Sequence, residues 1–284
     1  MDPVLLAVYV AILLWSASWG SFLNVVIYRV PAGLSVVSPA SRCPHCETPI
    51  AWWQNVPVLG WAFIGGRCWT CKAPVSMRYP AVEATVAALG LAVALPWVSA
   101  WAAGEVEPGL AAGGIVAEQA FVFALVAIAM IDADTFLIPD SLSLPMPILG
   151  VGLAVLLGEA RDLSWQQAAI GAAAGGFGTL AVQWGYSAMT GREGLGTGDV
   201  KLLAGLGAWL GPAALPPLLL AASLQGLLFA AGQALLGEKL AEERGLASMR
   251  HVALPFGPFL ALAGIEWLLV GRRLAPALAG LLGG

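Results

Sequence analysis

The chain has 284 residues, of which 59% are hydrophobic and only 11% are charged, and its formal net charge is −4. Soluble domains carry about 25% charged residues, so this composition argues against a purely water-soluble fold. No tract of lysine and arginine residues offers an electrostatic footprint for DNA or RNA, so we expect no nucleic-acid partner.

The N-terminal segment predicts a first transmembrane helix that is retained in the protein. Its start, Met1-Asp2-Pro3-Val4, lacks the positively charged region of a secretory signal. The apolar run from Val4 to Val26 exceeds the hydrophobic part of such a signal and is long enough to cross a bilayer.

Further apolar runs of similar length follow along the chain. Together with a shorter one they predict seven or eight spans, and therefore an all-α polytopic membrane protein. The runs lie near residues 4–27, 81–101, 115–132, 141–158, 165–189, 213–236 and 254–270, and the shorter one covers 199–211.

The basic residues predict how these spans are oriented. Five of them lie between the first and second spans, which the positive-inside rule places in the cytoplasm: Arg29, Arg42, Arg67, Lys72 and Arg78. Alternation from there puts the N-terminus outside and the loops 133–140, 190–198 and 237–253 inside. Three basic residues would then lie on the opposite side: Arg161, Arg272 and Arg273.

Two C-x-x-C motifs contain all four cysteines, as Cys43-Pro-His-Cys46 and Cys68-Trp-Thr-Cys71. Their separation of 21 residues resembles that of a zinc ribbon, and four thiolates would fill a tetrahedral, structural zinc site. Two disulfides are the alternative and would require an oxidising compartment. The predicted cytoplasmic location favours zinc, with His45 as a possible competing ligand.

Three aspartates cluster where the third predicted span ends. Asp132 is contiguous with the apolar run. Ionisable groups at membrane depth are rare and usually have a function, so Asp132 is a candidate functional residue. Asp134 lies about 200° round a helix from Asp132, so the two cannot face one partner. Asp140 follows Pro139 and precedes a new span, where a helix N-cap belongs. Asp132 is therefore the best catalytic candidate of the three.

A fourth aspartate, Asp199, follows Gly196-Thr-Gly198 at the start of the short apolar stretch. Flanking glycines allow backbone to approach closely, which would let an extended peptide lie beside the carboxylate. Capping of the following helix is the competing explanation. Two carboxylates brought together could share one proton, leaving one base to activate water and one acid to polarise a scissile carbonyl.

Several motifs together resemble those of type IV prepilin peptidases, over nearly the whole chain and in the family's order. They are Gly20-Ser-Phe-Leu-Asn24-Val-Val-Ile-Tyr28-Arg29, the cysteine segment with its Trp52-Trp53-Gln-Asn-Val-Pro-Val-Leu-Gly60 core, Arg78-Tyr-Pro-Ala-Val-Glu83, Asp132-Ala-Asp134-Thr-Phe-Leu-Ile-Pro-Asp140, Gly196-Thr-Gly198-Asp199-Val-Lys201-Leu, and Pro255-Phe-Gly-Pro-Phe-Leu.

The resemblance implies a membrane aspartyl endopeptidase with Asp132 and Asp199 as the catalytic pair. Gly196, Gly198 and Lys201 would support them. The implied fold is a bundle of about eight transmembrane helices with a small cytoplasmic zinc-ribbon-like domain. The corresponding division is 1–28, a first transmembrane helix; 29–80, a four-cysteine segment associated with methylation; and 81–284, a protease core.

The resemblance also implies the substrates and the second activity. The enzyme would sit in the bacterial inner membrane, with its active site toward the cytoplasm. There it would cut basic leaders from type IV prepilins or type II secretion pseudopilins and N-methylate the new N-terminus with S-adenosylmethionine. The residues that bind this cofactor are not assigned by the sequence. Arg29, Arg78 and Glu83 are equally explained as interfacial anchors.

Two other functions remain open at this stage. A transporter or zinc-dependent assembly factor would use the aspartates as ion ligands, and a pairing of Asp199 with Glu118 or Glu266 would favour it. A presenilin-like intramembrane protease shares the G-x-G-D pattern but generally lacks a four-cysteine segment.

Overall fold

The computed structural model describes residues 2–191, 194–244 and 254–271, and these residues form helices and no β-strand. The chain divides into two compact units, Met1–Ala127 and Ile128–Gly284. The prediction of an all-helical protein is confirmed. The predicted division at residues 28 and 80 stays a prediction.

The first unit is built from α1 (Pro3–Arg29), the short α2 (Leu59–Phe63), α3 (Arg78–Ala102) and most of α4 (Pro108–Thr135). Small residues allow α1 and α3 to pack closely. A Cβ atom at Gly20 would lie 2.7 Å from the Glu83 Cα, and one at Gly90 would lie 2.2 Å from the Ser16 Oγ. Glycine is therefore required where these two helices touch.

Buried polar side chains tie the three long helices of the first unit together. Gln119 of α4 donates to Ser16 Oγ of α1 at 3.1 Å and to the Gly90 carbonyl of α3 at 3.0 Å. Trp97 Nε1 donates to the Glu118 carboxylate at 3.1 Å. Hydrogen bonds between helices are a recurring means of association in membranes, where water cannot satisfy such groups.

Over the residues that the structure describes, the second unit continues from the end of α4 through seven further α-helices. They are α5 (Asp140–Ser143), α6 (Pro145–Arg161), α7 (Trp165–Ala173), α8 (Thr179–Thr190), α9 (Thr197–Leu210), α10 (Leu215–Arg244) and α11 (Gly257–Glu266). Most of α9 is buried, and its backbone lies directly against α7. A Cβ at Gly171 would lie 2.0 Å from the Gly207 carbonyl oxygen, so only glycine permits this approach.

Large apolar side chains are exposed along both units, as expected of surfaces that face lipid. Among them are Leu14, Ile148, Leu156, Val182 and Leu220. Within the described part of the chain, five helical stretches are long and apolar enough to cross a membrane: Pro3–Arg29, Arg78–Ala102, Pro108–Thr135, Asp140–Gly158 and Pro212–Leu235.

The count of eight spans is not confirmed. The predicted 165–189 span is α7 and α8 joined by a π-helical turn at Ala174–Gly178, and the predicted 254–270 span is a shorter apolar helix, Gly257–Gly271. The 14 residues of α9 extend over about 21 Å, less than the roughly 30 Å of a hydrocarbon core. Apolar composition alone did not distinguish these interrupted or shorter helices from complete spans.

Arg161, an exception to the predicted orientation, is only 4% exposed. Its guanidinium donates to the Trp209 carbonyl at 3.2 Å and lies over the Trp209 ring at 5.2 Å. Arg161 is therefore packed inside the second unit, at the end of α6, and is not an exposed charge in a loop. Its position is weak evidence about the orientation of the protein in the membrane. Arg250, Arg272 and Arg273 lie outside the described residues. The membrane orientation stays a prediction.

Candidate active site and metal centre

Asp132 lies in the last turn of α4 and is only 5% exposed. Its Oδ2 accepts a hydrogen bond at 3.0 Å from the backbone N–H of Gly257, the first residue of α11. The positive end of the helix dipole stabilises a carboxylate in this position. A Cβ at Gly257 would lie 2.6 Å from the same oxygen, so the contact depends on glycine.

Asp199 lies in the first turn of α9. Its Oδ2 accepts from the backbone N–H of Gly196 at 3.3 Å, which is half of a capping box. The capping explanation for Asp199 is thus correct for one oxygen, and it does not exclude a catalytic role. Capping also fixes the orientation of this carboxylate at the helix N-terminus.

The structure brings Asp132 and Asp199 together, since their carboxylates are close enough to interact electrostatically. Ile138 packs against the start of α9, which carries Asp199, and against the start of α11, whose Gly257 donates to Asp132. A Cβ at Gly198 would be 3.0 Å from the Ile138 Cβ, and a Cβ at Gly257 would be 3.1 Å from its Cδ1. The paired arrangement therefore depends on close packing at two glycines.

The predicted capping role of Asp140 is wrong. Pro139 is the N-cap of α5, and the Asp140 side chain makes no capping hydrogen bond. It forms an ion pair with Lys201 of α9 instead. A proline in the capping position has no side-chain oxygen, and the nearby cation attracts the carboxylate. Lys201 thus links the two aspartate motifs. Asp134 is exposed, as expected for an interfacial residue.

Sequence reasoning missed Gly257 as a site residue. The signal was present in Pro255-Phe-Gly-Pro-Phe-Leu, where a glycine stands at the start of an apolar run. Its function could not be inferred there, because it acts through a backbone N–H on a carboxylate 125 residues earlier.

The four cysteines of the first unit form a single group. None of them is in a disulfide, and their sulfur atoms all lie within 4.8 Å of one another: Cys43, Cys46, Cys68 and Cys71. The Cys43–Cys71 and Cys46–Cys68 sulfur separations are 3.8 and 3.9 Å. A tetrahedron with metal–sulfur bonds of about 2.3 Å has edges of about 3.8 Å, whereas a disulfide is about 2.05 Å long. The four thiols form a group that could hold one metal ion.

Each cysteine pair sits in the same local structure. Arg42–Pro49 and Arg67–Pro74 share the pattern R-C-x-x-C-x-x-P, and an antiparallel bridge joins the ends of each. Glu47 and Lys72 take matching left-handed conformations, with φ of 55° and 60°. The repeat is visible in the sequence, and it accounts for the two equivalent turns. The hydroxyl of Thr48 also lowers the pKa of Cys46 to about 6.

A cavity of about 740 Å³ lies in the first unit, between the cysteine segment and the adjoining ends of α1 and α3. Glu83 on its wall is 8% exposed. Its Oε2 accepts from the Val58 N–H at 2.6 Å, and Ser21 is a second hydrogen-bond partner.

Arginine and aromatic residues also line this cavity. The Arg29 guanidinium donates to the carbonyls of Ser35 at 2.9 Å and Pro39 at 2.8 Å, which holds the start of the segment. The aromatic lining residues are Tyr28, Trp61, Trp69 and Tyr79. The cavity lining therefore combines two acidic side chains, Glu47 and Glu83, with two basic ones, Arg29 and Arg42, and several aromatic rings.

Both parts of the chain match known protein families. Residues 14–97 match the bacterial peptidase A24 N-terminal domain, and residues 119–231 match the type IV leader peptidase family. No solved structure matches the chain.

Curated relatives extend the similarity over most of the chain. A prepilin leader peptidase/N-methyltransferase of Aeromonas hydrophila is 38% identical over 284 residues, covering 92% of this chain and 90% of the relative. One from Dichelobacter nodosus is 36% identical over 288 residues, covering 92% and 91%. One from Klebsiella pneumoniae is 40% identical over 213 residues, covering 72% and 86%.

Proposed function

The chain belongs to the type IV leader peptidase family, and we propose that Asp132 and Asp199 are the carboxylates with which it cleaves prepilin leaders. The family and the names of the relatives make it a prepilin peptidase with N-methyltransferase activity. The observation that supports the residue assignment is that the buried Asp132, held by Gly257, and the start of α9 with Asp199 converge on Ile138, which brings the two carboxylates within electrostatic range.

The proposed cleavage uses the pair as a coupled acid and base. Repulsion between adjacent carboxylates favours a state that holds one proton between them. The ionised member takes a proton from water, whose oxygen adds to the scissile carbonyl carbon. The protonated member donates to the carbonyl oxygen. Collapse of this intermediate breaks the C–N bond, and the amine leaves with a proton.

The position of the pair suits a substrate that is part membrane-embedded. Asp132 lies at the end of a candidate span and Asp199 at the start of a helix. A pilin with an apolar segment in the bilayer would present its leader boundary near that depth. We infer a cytoplasmic active site in the bacterial inner membrane because the basic residues of the cysteine segment favour that side.

We infer that the cysteine group binds one structural Zn²⁺, since its sulfur separations fit a tetrahedral shell. N-methylation further implies S-adenosylmethionine, which supplies an activated methyl group when bound. The cavity of the first unit has a volume and a polar lining that fit such a ligand.

A direct test incubates the purified protein with a prepilin, with and without S-adenosylmethionine, and measures product masses. Asp132→Asn and Asp199→Asn preserve shape but remove the base, so each should lower cleavage about 10³-fold or more. Asp134→Asn is the matched control and should retain substantial cleavage. Circular dichroism checks that all variants fold. Near-normal processing by a folded Asp199→Asn protein would refute the mechanism.

The two activities can be separated in the same experiment. Methylation of a pre-cleaved pilin should survive in Asp132→Asn and Asp199→Asn, because we place that chemistry in the first unit.

A transporter role receives less support. Glu118 accepts from Trp97 and Glu266 accepts from Gln225 at 2.6 Å, whereas Asp199 is within electrostatic range of Asp132.

A further inference from the structure

We propose that the cavity of the first unit is the S-adenosylmethionine site, with Glu83 as the group that recognises the sulfonium cation. This inference rests on the proposed methyltransferase function. It assigns a binding residue and the ligand charge that this residue recognises. Neither the sequence motifs nor the family membership supplies this assignment.

The size of the cavity fits the ligand class. Pockets for small molecules and cofactors typically occupy about 300–1,000 Å³, and this one occupies about 740 Å³. It is bounded by transmembrane helix ends on one side and the cysteine segment on the other. Loss of the metal would therefore disturb one wall of the cavity.

The carboxylate of Glu83 is the feature that points to a cation. It accepts hydrogen bonds from Val58 and Ser21, yet it has no ion-pair partner among the residues that the structure describes. Burial of a charge is costly unless an opposite charge compensates it. A positively charged ligand in the cavity would provide that compensation.

Other lining groups fit the rest of the donor. Cations bind favourably over aromatic faces, and Tyr28, Trp69 and Tyr79 supply such faces in the lining. Arg29 uses two guanidinium contacts for the carbonyls of Ser35 and Pro39. A guanidinium has five N–H donors, so others remain for the carboxylate of the amino-acid moiety.

The charge of the ligand separates this role from simple packing. S-adenosylmethionine carries a sulfonium cation, whereas its demethylated product, S-adenosylhomocysteine, is a neutral thioether of nearly the same shape. Substitution of a residue that recognises the sulfonium cation must weaken the binding of S-adenosylmethionine alone. A residue that merely shapes the wall must affect both alike.

The experiment is equilibrium dialysis of both radiolabelled compounds against the full-length protein in detergent, with no pilin present. Glu83→Gln keeps the shape and the hydrogen-bond acceptor but removes the charge. It should weaken S-adenosylmethionine binding about tenfold and change S-adenosylhomocysteine binding by less than about twofold. Glu107→Gln removes an exposed charge that does not line this cavity and should change neither affinity.

A loss of equal size for both compounds, or no loss, would overturn the assignment to Glu83. Because no pilin is present in the dialysis, an interaction of Glu83 with the pilin amine cannot produce the expected result. Ultraviolet cross-linking of the radiolabelled donor to the unmutated protein provides a second measurement that does not depend on a variant folding. Label should appear in peptides that carry Tyr28, Trp69 or Tyr79, and label confined to the second unit would refute the cavity.

The outcome is distinguishable from failure of the proposed function. If the protein binds the donor with the expected charge preference but leaves a prepilin uncut, the cleavage proposal fails and the cavity stands. If cleavage and methylation proceed but binding ignores Glu83, only the inference about Glu83 fails.

Discussion

The cysteine group and the aspartate pair are assembled in opposite ways. Each cysteine turn is complete within eight residues, and the two turns repeat one local pattern. The aspartate site instead joins the end of α4, the start of α9 and the start of α11, which are far apart in the chain. One site depends on local conformation and the other on helix packing.

This difference decides which substitutions each site should tolerate. A local ligand turn fails when a ligand atom is lost, whereas a site built by packing also fails when a neighbouring atom is added. The cysteine group should therefore be sensitive to chemistry at four positions. The aspartate pair should be sensitive to side-chain volume at the closely packed glycines beside it, Gly198 and Gly257.

The largest effect should come from removing ligands. The double substitution Cys68→Ser and Cys71→Ser leaves two sulfur ligands, so bound zinc should fall from about one per chain to near zero. Elemental analysis by mass spectrometry measures this directly. Thr70→Ser lies between the same cysteines without being a ligand, and it should retain the metal. Metal-free wild-type protein with two disulfides would contradict the zinc assignment.

The next effect tests added volume at the aspartate site. Gly257→Ala places a methyl group 2.6 Å from the Asp132 Oδ2, so the helix or the carboxylate must shift. A displacement of about 1 Å can cost roughly 10²-fold in rate, and we expect a fall in prepilin cleavage of that order.

Gly152→Ala in α6 is the control for this substitution, because a Cβ there has no atom within 4 Å. It should retain wild-type cleavage. Normal cleavage by Gly257→Ala would show that the contact with Asp132 is incidental, and would remove the support for a site defined by packing.

The smallest effect concerns the ion pair between Asp140 and Lys201, which joins the two aspartate motifs. The Asp140 side chain is 63% exposed, and such pairs contribute little free energy. Asp140→Asn and Lys201→Met should each lower cleavage about twofold to fivefold. If the two residues act as a unit, the double variant should cleave prepilin no more slowly than the less active single variant. Fully additive losses in this double-mutant cycle would show that the two residues act separately.

Several features of the site were predictable because their signals are local. C-x-x-C spacing predicts a ligand turn, and an aspartate at the end of an apolar run predicts a functional carboxylate. Asp140 was misassigned because the sequence shows a position before a helix but not the cation that approaches from α9. Gly257 was missed because a backbone donor has no signature of its own.

The sequence by itself determined that this protein is helical with several membrane-length apolar segments, that its cysteines lie in two C-x-x-C motifs, and that Asp132 and Asp199 are the candidate catalytic carboxylates. Those properties follow from composition and short-range geometry. Only the tertiary structure decided that α9 is mostly buried and packs against α7, that Asp140 pairs with Lys201, and that Gly257 donates a hydrogen bond to Asp132. Contacts of this kind depend on how closely two backbones approach, and that distance is set by side-chain volumes from distant parts of the chain.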